Sequence, residues 1–356
     1  MDRIAALVSG GVDSSVMLHI LAGKGLSPDI FYIRISMEDE LGQLDDCSFR
    51  EDLELVMQLA KKYNCRFEIA DLHHDYWQTV VRYTIDTVKS GKTPNPDILC
   101  NRIIKFGLFD ERYGKDYKWL ATGHYANTLV LNDEIFLATA RDKKKDQTYF
   151  LSGLTAEQIA RIMFPIGFLT KPEVRKIARD EKLPSASRPD SQGICFLGKI
   201  NYQQFLLRYL GTKEGDIVEA ETGKIWGKHK GYWFYTIGQR HGLGLGQGPW
   251  YVSAKNTEEN IIFITKGLNS QSLKENTVYL EDFHFINHNL SGFDLENIKF
   301  KIRHTPEFTA GKLSVEGSKV KIESEKAIIG LAPGQYGAVY DKDEKVCLGA
   351  GVIEWR

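Results

Sequence analysis

The sequence predicts an α/β first half built on a doubly wound, mainly parallel sheet, then a β-rich second half that ends in a small barrel. Three observations carry this. Short apolar runs alternate with helix-period runs from Ile4 to Glu181. A glycine turn, SGGVDSS (Ser9 to Ser15), joins the first apolar run to the first helical one. From Gly211 helical periodicity fades, and glycine-rich turns between short alternating runs take over.

At 356 residues the chain is too long for one ordinary core, so two or three domains are expected. An apolar fraction of 42% and a charged fraction of 26% are those of a soluble globular protein. The N-terminal MDRIAALVSGG lacks signal-peptide architecture and no apolar run approaches membrane-spanning length, so the expected place is the cytoplasm. Five scattered cysteines (Cys47, Cys65, Cys100, Cys195 and Cys347) fit free thiols in a reducing compartment. No CxxC is present, which argues against structural zinc and iron–sulfur clusters. A net charge of −1 gives no global basic signal, so a nucleic-acid partner must be held by local patches.

Ile4 to Val8 is the first strand and Val16 to Leu21 lies in the first helix. Gly10 and Gly11 lack a Cβ, so the turn between them can bring backbone N–H groups close to a phosphate. Asp13 would repel a phosphate unless a cation lay between, which makes it a candidate magnesium ligand. The plainer alternative is a tight turn capped by Asp13 or Ser14. Neither GK[ST] nor GxGxxG is present, so the turn is neither a Walker A loop nor a dinucleotide fingerprint. Asp29 to Ile35 reads as the second strand, Ser36 to Asp46 as an acidic loop and Phe49 to Tyr63 as a helix. Arg66 to Leu72 is the third strand and Tyr76 to Lys89 the next helix, stopped by Ser90, Gly91 and Pro94.

In TPNPDILCN (Thr93 to Asn101), Pro94 and Pro96 predict a stiff extended loop rather than a helix. It holds Asn95, Asp97 and Cys100 together: either a positioned thiol beside an acid/base, or a buried small hydrophobe. Trp119 to Thr122 is a further strand, followed by GHY (Gly123 to Tyr125). Ligands of open α/β sheets bind beyond the carboxyl ends of the strands, where SGGVDSS and GHY both fall. His124 is expected to be structural, and RDKKKDQ (Arg141 to Gln147) is either a solvated basic loop or a phosphate contact. Ala156 to Met163 and Pro172 to Glu181 read as helices. DSQGICFLG (Asp190 to Gly198) closes this half, and Cys195 within its apolar run reads on residues alone as core. KFKIRH, KLSVEG, KVKIES and QYGAVYD are the short strands of the terminal barrel.

SGGVDSS resembles the PP-loop of the ATP pyrophosphatases, an adenine nucleotide alpha hydrolase-like fold whose members split ATP between the α and β phosphates. With TPNPDILCN, ATGHY, KDQTYFL, KPEVRKIA, DSQGICFLG, TIGQRHGLG and CLGAGVIE in order, nearly the whole chain is similar to the bacterial tRNA-specific 2-thiouridylases. That resemblance implies a PP-loop catalytic domain over 1–198, a central tRNA-binding domain over 199–270 and a C-terminal β-barrel over 271–356. It implies ATP and Mg2+ as cofactors, adenylation of the wobble uridine's 2-oxo oxygen and replacement of that oxygen by sulfur. Leu7, Val8, Ser9, Gly10, Gly11, Val12, Asp13, Ser14, Ile33 and Gly123 match ATP-contacting positions. Cys195 matches the persulfide carrier, Cys100 the second thiol that pairs with it in a disulfide, and Asp97 the acid/base. Asn95, Pro96 and Asp97 match the loop facing the target base; Lys145, Asp146, Gln147, Arg303 and His304 match tRNA contacts. The implied partners are tRNA and a sulfur-relay protein or cysteine desulfurase, the enzyme itself being a monomer. Two other readings stand beside it: a PP-loop enzyme adenylating a small molecule, and a non-catalytic tRNA-binding protein.

Overall fold

Parallel pairing in the first half centres on apolar strands buried on both faces, with a more polar strand at one edge. In the computed structural model, which describes residues 2–35, 46–190, 201–267, 270–287, 289–317 and 319–355, these strands are β1 (Ile4–Leu7), β2 (Asp29–Arg34), β3 (Phe67–Asp71), β4 (Trp119–Thr122) and β7 (Ile162–Met163). Their order is β3-β2-β1-β4-β7, all parallel. Side chains alternate between faces along a strand. Ala5 and Leu7 therefore enter one core, and Ile4, Ala6 and Val8 another. Helices α1 (Val12–Gly23) and α2 (Asp46–Tyr63) cover the second face, with Val16, Leu18, Val56 and Leu59 buried against it. The first face is covered by α3, which runs as His73–Tyr76, a π-helical Trp77–Val81 and Arg82–Lys89.

α4 begins at Pro96–Leu99 and continues in π-helical form through Cys100–Leu108 and Asp110–Gly114. This corrects the expectation of an extended loop. Pro96 is the first residue of the helix, where a missing N–H costs nothing and the fixed φ suits the helix. Asn95 caps it by accepting from the Ile98 amide at 3.4 Å. Pro94 does lie outside the helix, before the cap. The helix expected over Ala156 to Met163 stops early: α6 (Ala156–Ile159), which follows α5 (Thr148–Leu151), closes with a Thr155/Gln158 capping box, and Ile162–Met163 form β7. α7 (Lys171–Asp180) starts with a Thr170/Glu173 capping box.

α8 (Tyr202–Leu210) leads into a four-stranded central sheet of β8 (Gly215–Glu219), β9 (Ile225–His229), β10 (Trp250–Asn256) and β11 (Ile261–Lys266), ordered β10-β11-β8-β9. The last six strands are β12 (Lys274–Phe285), β13 (Ile298–Lys301), β14 (Thr309–Glu316), β15 (Lys319–Ile329), β16 (Tyr336–Tyr340) and β17 (Val346–Glu354). They pair in the order β12-β15-β14-β13-β16-β17, and pairing of β12 with β17 closes the barrel. A hairpin from the first half, β5 (Asn127–Leu131) and β6 (Glu134–Ala138), extends the barrel sheet where Ala138 and Leu137 meet Val346 and Cys347. Among the described residues no helix is long and apolar enough to cross a membrane.

Candidate active site

The turn between β1 and α1 is built for an anion. Gly10 has φ +74°, and a Cβ there would lie 3.0 Å from the Asp52 carbonyl oxygen. Gly11 is the N-cap, with no side-chain cap, so α1 begins at Val12 and Asp13 and Ser14 sit in its first turn, not at the cap. Ser14 Oγ accepts from the Ser9 amide at 3.2 Å and donates to the Gly11 carbonyl at 3.1 Å. Ser15 donates to the same carbonyl at 2.8 Å and receives a hydrogen bond from Ser185. These bonds fix the turn while the first-turn amides of α1 carry the positive end of the helix dipole. Gly123, at the end of β4, presses on this turn: a Cβ would lie 2.7 Å from the Ser14 nitrogen. Leu7 and Val8 are buried beneath the turn, and Ile33 is half-buried near the end of β2.

A charge cluster stands over the same turn. Lys171 Nζ bridges both Asp13 oxygens at 2.7 and 2.9 Å, and Tyr125 donates to Asp13 Oδ1 at 2.9 Å. Lys171 also pairs with Asp190 at 2.9 Å, as do Lys145 at 2.9 Å and Arg175. Burial alone would raise the Asp190 carboxyl, but Lys145, Lys171 and Arg175 hold it well below the usual carboxylate range. Burial and the Asp13 charge push the Tyr125 phenol far up, so it stays a donor. Three cations thus face two carboxylates beside a helix N-terminus, an excess of positive charge suited to a polyphosphate.

Lys171 and Arg175 were missed as site residues by sequence reasoning. The available signal was Lys171 as the first residue of a helix, where the dipole disfavours a cation unless an anion compensates.

The second constellation lies on α4. Cys100 is 1% exposed and packs in the core under the sheet, while Asp97 is half-buried one turn earlier. Asn95 Nδ2 donates to the Tyr149 hydroxyl at 3.4 Å and to Gln335 Oε1 at 3.3 Å. Gln335, from the barrel, donates in turn to the Pro94 carbonyl at 2.7 Å, and the Thr93 amide donates to the Pro333 carbonyl at 2.8 Å. The barrel therefore clasps the loop that carries Asn95 and Pro96. Further along α4, the Phe106 ring lies 6.0 Å from His124 at the end of β4. Thr122 Oγ1 and His124 Nδ1 are hydrogen-bonded at 2.7 Å, and burial lowers the His124 pKa well below its ordinary value. A neutral His124 packed beside Phe106 agrees with the structural expectation. Cys195 lies outside the described residues.

The segment Lys145 to Gln147 is tied inward. Asp146 is 2% exposed, accepts from the Ala140 amide at 2.9 Å and Thr148 Oγ1 at 2.7 Å, and faces buried Lys301 at 3.8 Å. Its carboxylate is thus committed to bonds within the fold. Gln147 Oε1 accepts from the Tyr125 amide at 2.9 Å. His304 hydrogen-bonds the Asp146 carbonyl at 3.0 Å and its ring lies 4.6 Å from that of Phe150, while Arg303 donates to the Gly330 carbonyl at 2.7 Å. Both retain exposed surface.

Comparison with known proteins gives one consistent answer. Family models match residues 2–199 as a tRNA methyl transferase HUP domain, 203–266 as a tRNA methyl transferase PRC-barrel domain and 275–353 as an aminomethyltransferase beta-barrel domain. A protein of Parabacteroides distasonis named tRNA-specific 2-thiouridylase MnmA is 55% identical over 353 residues, covering 99% of this chain and 98% of the relative. A protein of the same name from Porphyromonas gingivalis is 53% identical, covering 98% of both chains. The Bacteroides thetaiotaomicron protein named tRNA-specific 2-thiouridylase MnmA 1 is 51% identical, covering 99% of both.

Proposed function

This chain belongs to the tRNA-specific 2-thiouridylase family, and we propose that it activates a tRNA uridine with ATP at the SGGVDSS turn and replaces the 2-oxo oxygen with sulfur at Cys100 and Cys195. The observation that carries this is the turn itself: first-turn amides of α1, a positive-φ glycine and Lys171 held between Asp13 and Asp190. That arrangement suits the triphosphate of ATP, a substrate here, bound with its α-phosphorus open to attack. The uridine 2-oxo oxygen attacks that phosphorus, the bond to pyrophosphate breaks, and C2 becomes bonded to a good leaving group. Lys171 and the α1 amides stabilise the charge that builds on the departing pyrophosphate.

Asp13 fits a magnesium ion carried by the nucleotide. It is a single carboxylate, and among the described residues no group of three or more potential ligands forms a protein cage. Magnesium there would share the carboxylate with Lys171 and add charge neutralisation at the phosphates.

Sulfur transfer then balances with two thiols. The terminal sulfur of a Cys195 persulfide attacks C2, and AMP departs with the former 2-oxo oxygen. The Cys100 thiolate attacks Cys195 Sγ, the sulfur–sulfur bond to the base breaks, and 2-thiouridine leaves behind a Cys100–Cys195 disulfide. A cellular thiol restores both cysteines, and a persulfide-bearing relay protein or desulfurase reloads Cys195. Asn95, held by Tyr149 and Gln335, and Asp97 face the base that must leave its stack. Lys145, Gln147, Arg303 and His304 are the residues proposed to meet the tRNA, and the target is the wobble uridine.

Pyrophosphate release measured with purified chain, ATP and magnesium tests this reading. It is expected to require tRNA and to be unaffected by small metabolites. Release driven by a metabolite without RNA would place the chain among the small-molecule enzymes of the superfamily.

A further inference from the structure

A cavity of about 160 Å3 opens where the first half meets the central sheet. Its walls are Thr93 and Pro94, Tyr202 from the start of α8, and Trp233, Phe234 and Gln239 from the segment between β9 and β10. The three rings are half-buried, each with a face or edge left toward the cavity. Trp233 is pinned by its indole N–H to the Gly211 carbonyl at 3.3 Å, and Phe234 lies 6.0 Å from it. Gln239 Oε1 accepts from the Thr236 amide at 2.9 Å and its Nε2 donates to the His241 carbonyl at 2.8 Å. An amide carries two lone pairs and two N–H bonds, so Gln239 retains one of each beyond these contacts. Arg240 and His241 follow on the exposed surface.

None of these features is used by the chemistry above, yet the cavity adjoins the segment that carries it. Thr93 and Pro94, which line it, run directly into Asn95 and Asp97. A single-stranded RNA loop that gives up one base to Asn95 must unstack its neighbours, and unstacked bases are bound by aromatic faces with an amide reading their edges. The cavity admits one planar ring and is too small for a strand or helix.

We propose that this cavity takes a second nucleobase of the RNA substrate, the neighbour of the target uridine in the same loop, stacked on the Trp233–Phe234 rings with its edge bonded to Gln239. It rests on the tRNA-thiolation reading and adds a contact that selects sequence beside the target. A relay-protein side chain in the same cavity is the competing occupant.

The test is an affinity titration of the full-length chain with a stem–loop RNA bearing the target uridine, intact or abasic at the nucleotide on either side. Phe234→Ala is expected to weaken binding of intact RNA by about ten-fold, and one of the two abasic RNAs to weaken wild-type binding similarly. The two losses are expected not to add: Phe234→Ala should change binding of that abasic RNA by less than about two-fold. Gln239→Ala, which leaves the rings in place, is expected to show the same non-additivity with a smaller loss, and the RNA arm on wild-type protein needs no variant at all. Additive losses, or wild-type binding indifferent to both abasic sites, would overturn the proposal, as would unchanged RNA binding by both variants. Thiouridine measured on the wild-type sample separates the two levels. Thiolation with additive losses removes the pocket alone, whereas neither thiolation nor coupling removes the underlying reading as well.

Discussion

Lys171→Ala is expected to slow tRNA-dependent pyrophosphate release by about 10²- to 10³-fold, the usual cost of removing one preorganised charge from a developing anion. The physical basis is its position: the ammonium is 12% exposed and holds both Asp13 oxygens and one oxygen of Asp190. Its loss leaves two carboxylates facing one another at the phosphate site with no bridge between them. A purely structural lysine would lower the melting temperature but leave the stabilisation gained on adding ATP and magnesium intact. The expected result is that this ligand-induced shift, present in the wild type, disappears in the variant, since only binding to the folded state produces it. Asp13→Ala should likewise abolish release. Normal release by either variant, at saturating ATP and magnesium, would refute the placement of the triphosphate.

The cysteine pair should separate the two half-reactions. Cys195→Ser is expected to release pyrophosphate in the presence of tRNA yet form no 2-thiouridine. Cys100→Ser should fail later: sulfur reaches C2, but no thiolate is present to cut the sulfur–sulfur bond. The expected product is RNA joined to the protein through Cys195, stable on a non-reducing gel and released as thiolated RNA by a small thiol. Full thiolation by Cys195→Ser, or identical behaviour of the two variants with no adduct in either, would contradict the assigned roles.

The parts of the fold legible in the sequence are those where one period dominates. β1, with Ala5 and Leu7 in one core and Ile4 and Ala6 in the other, is an apolar run of parallel-sheet type, and the glycine turn after it marks the start of the first helix. α4 was hidden because Pro94 and Pro96 are helix breakers everywhere except at a helix start, and its start depends on Asn95 being held by Tyr149 and Gln335, more than fifty and two hundred residues away. The β5–β6 hairpin was hidden for another reason. Its turn residues Asn132 and Asp133 both take positive φ, as a tight hairpin requires, but its partner is β17 at the far end of the chain. The site was legible where residues bind through local backbone, as at Gly10 and Gly11, and illegible where it is assembled by charge across the sequence. Nothing in the run around Lys171 shows that Asp13, 158 residues earlier, is its partner. Asp146 is the reverse case: the lysines before it suggest a surface, but Lys301 and Thr148 draw its carboxylate into the barrel junction.

The most direct measurement follows one oxygen atom. A tRNA carrying ¹⁸O at the 2-position of the target uridine, thiolated by this chain with unlabelled ATP in unlabelled water, yields AMP that mass spectrometry can weigh. If the uridine oxygen is the atom that attacks the α-phosphorus held at the SGGVDSS turn, each AMP formed with a 2-thiouridine carries the label. Unlabelled AMP accompanying normal thiolation would show that ATP is spent on some other atom, and that the glycine turn and the two thiols do not serve the same carbon.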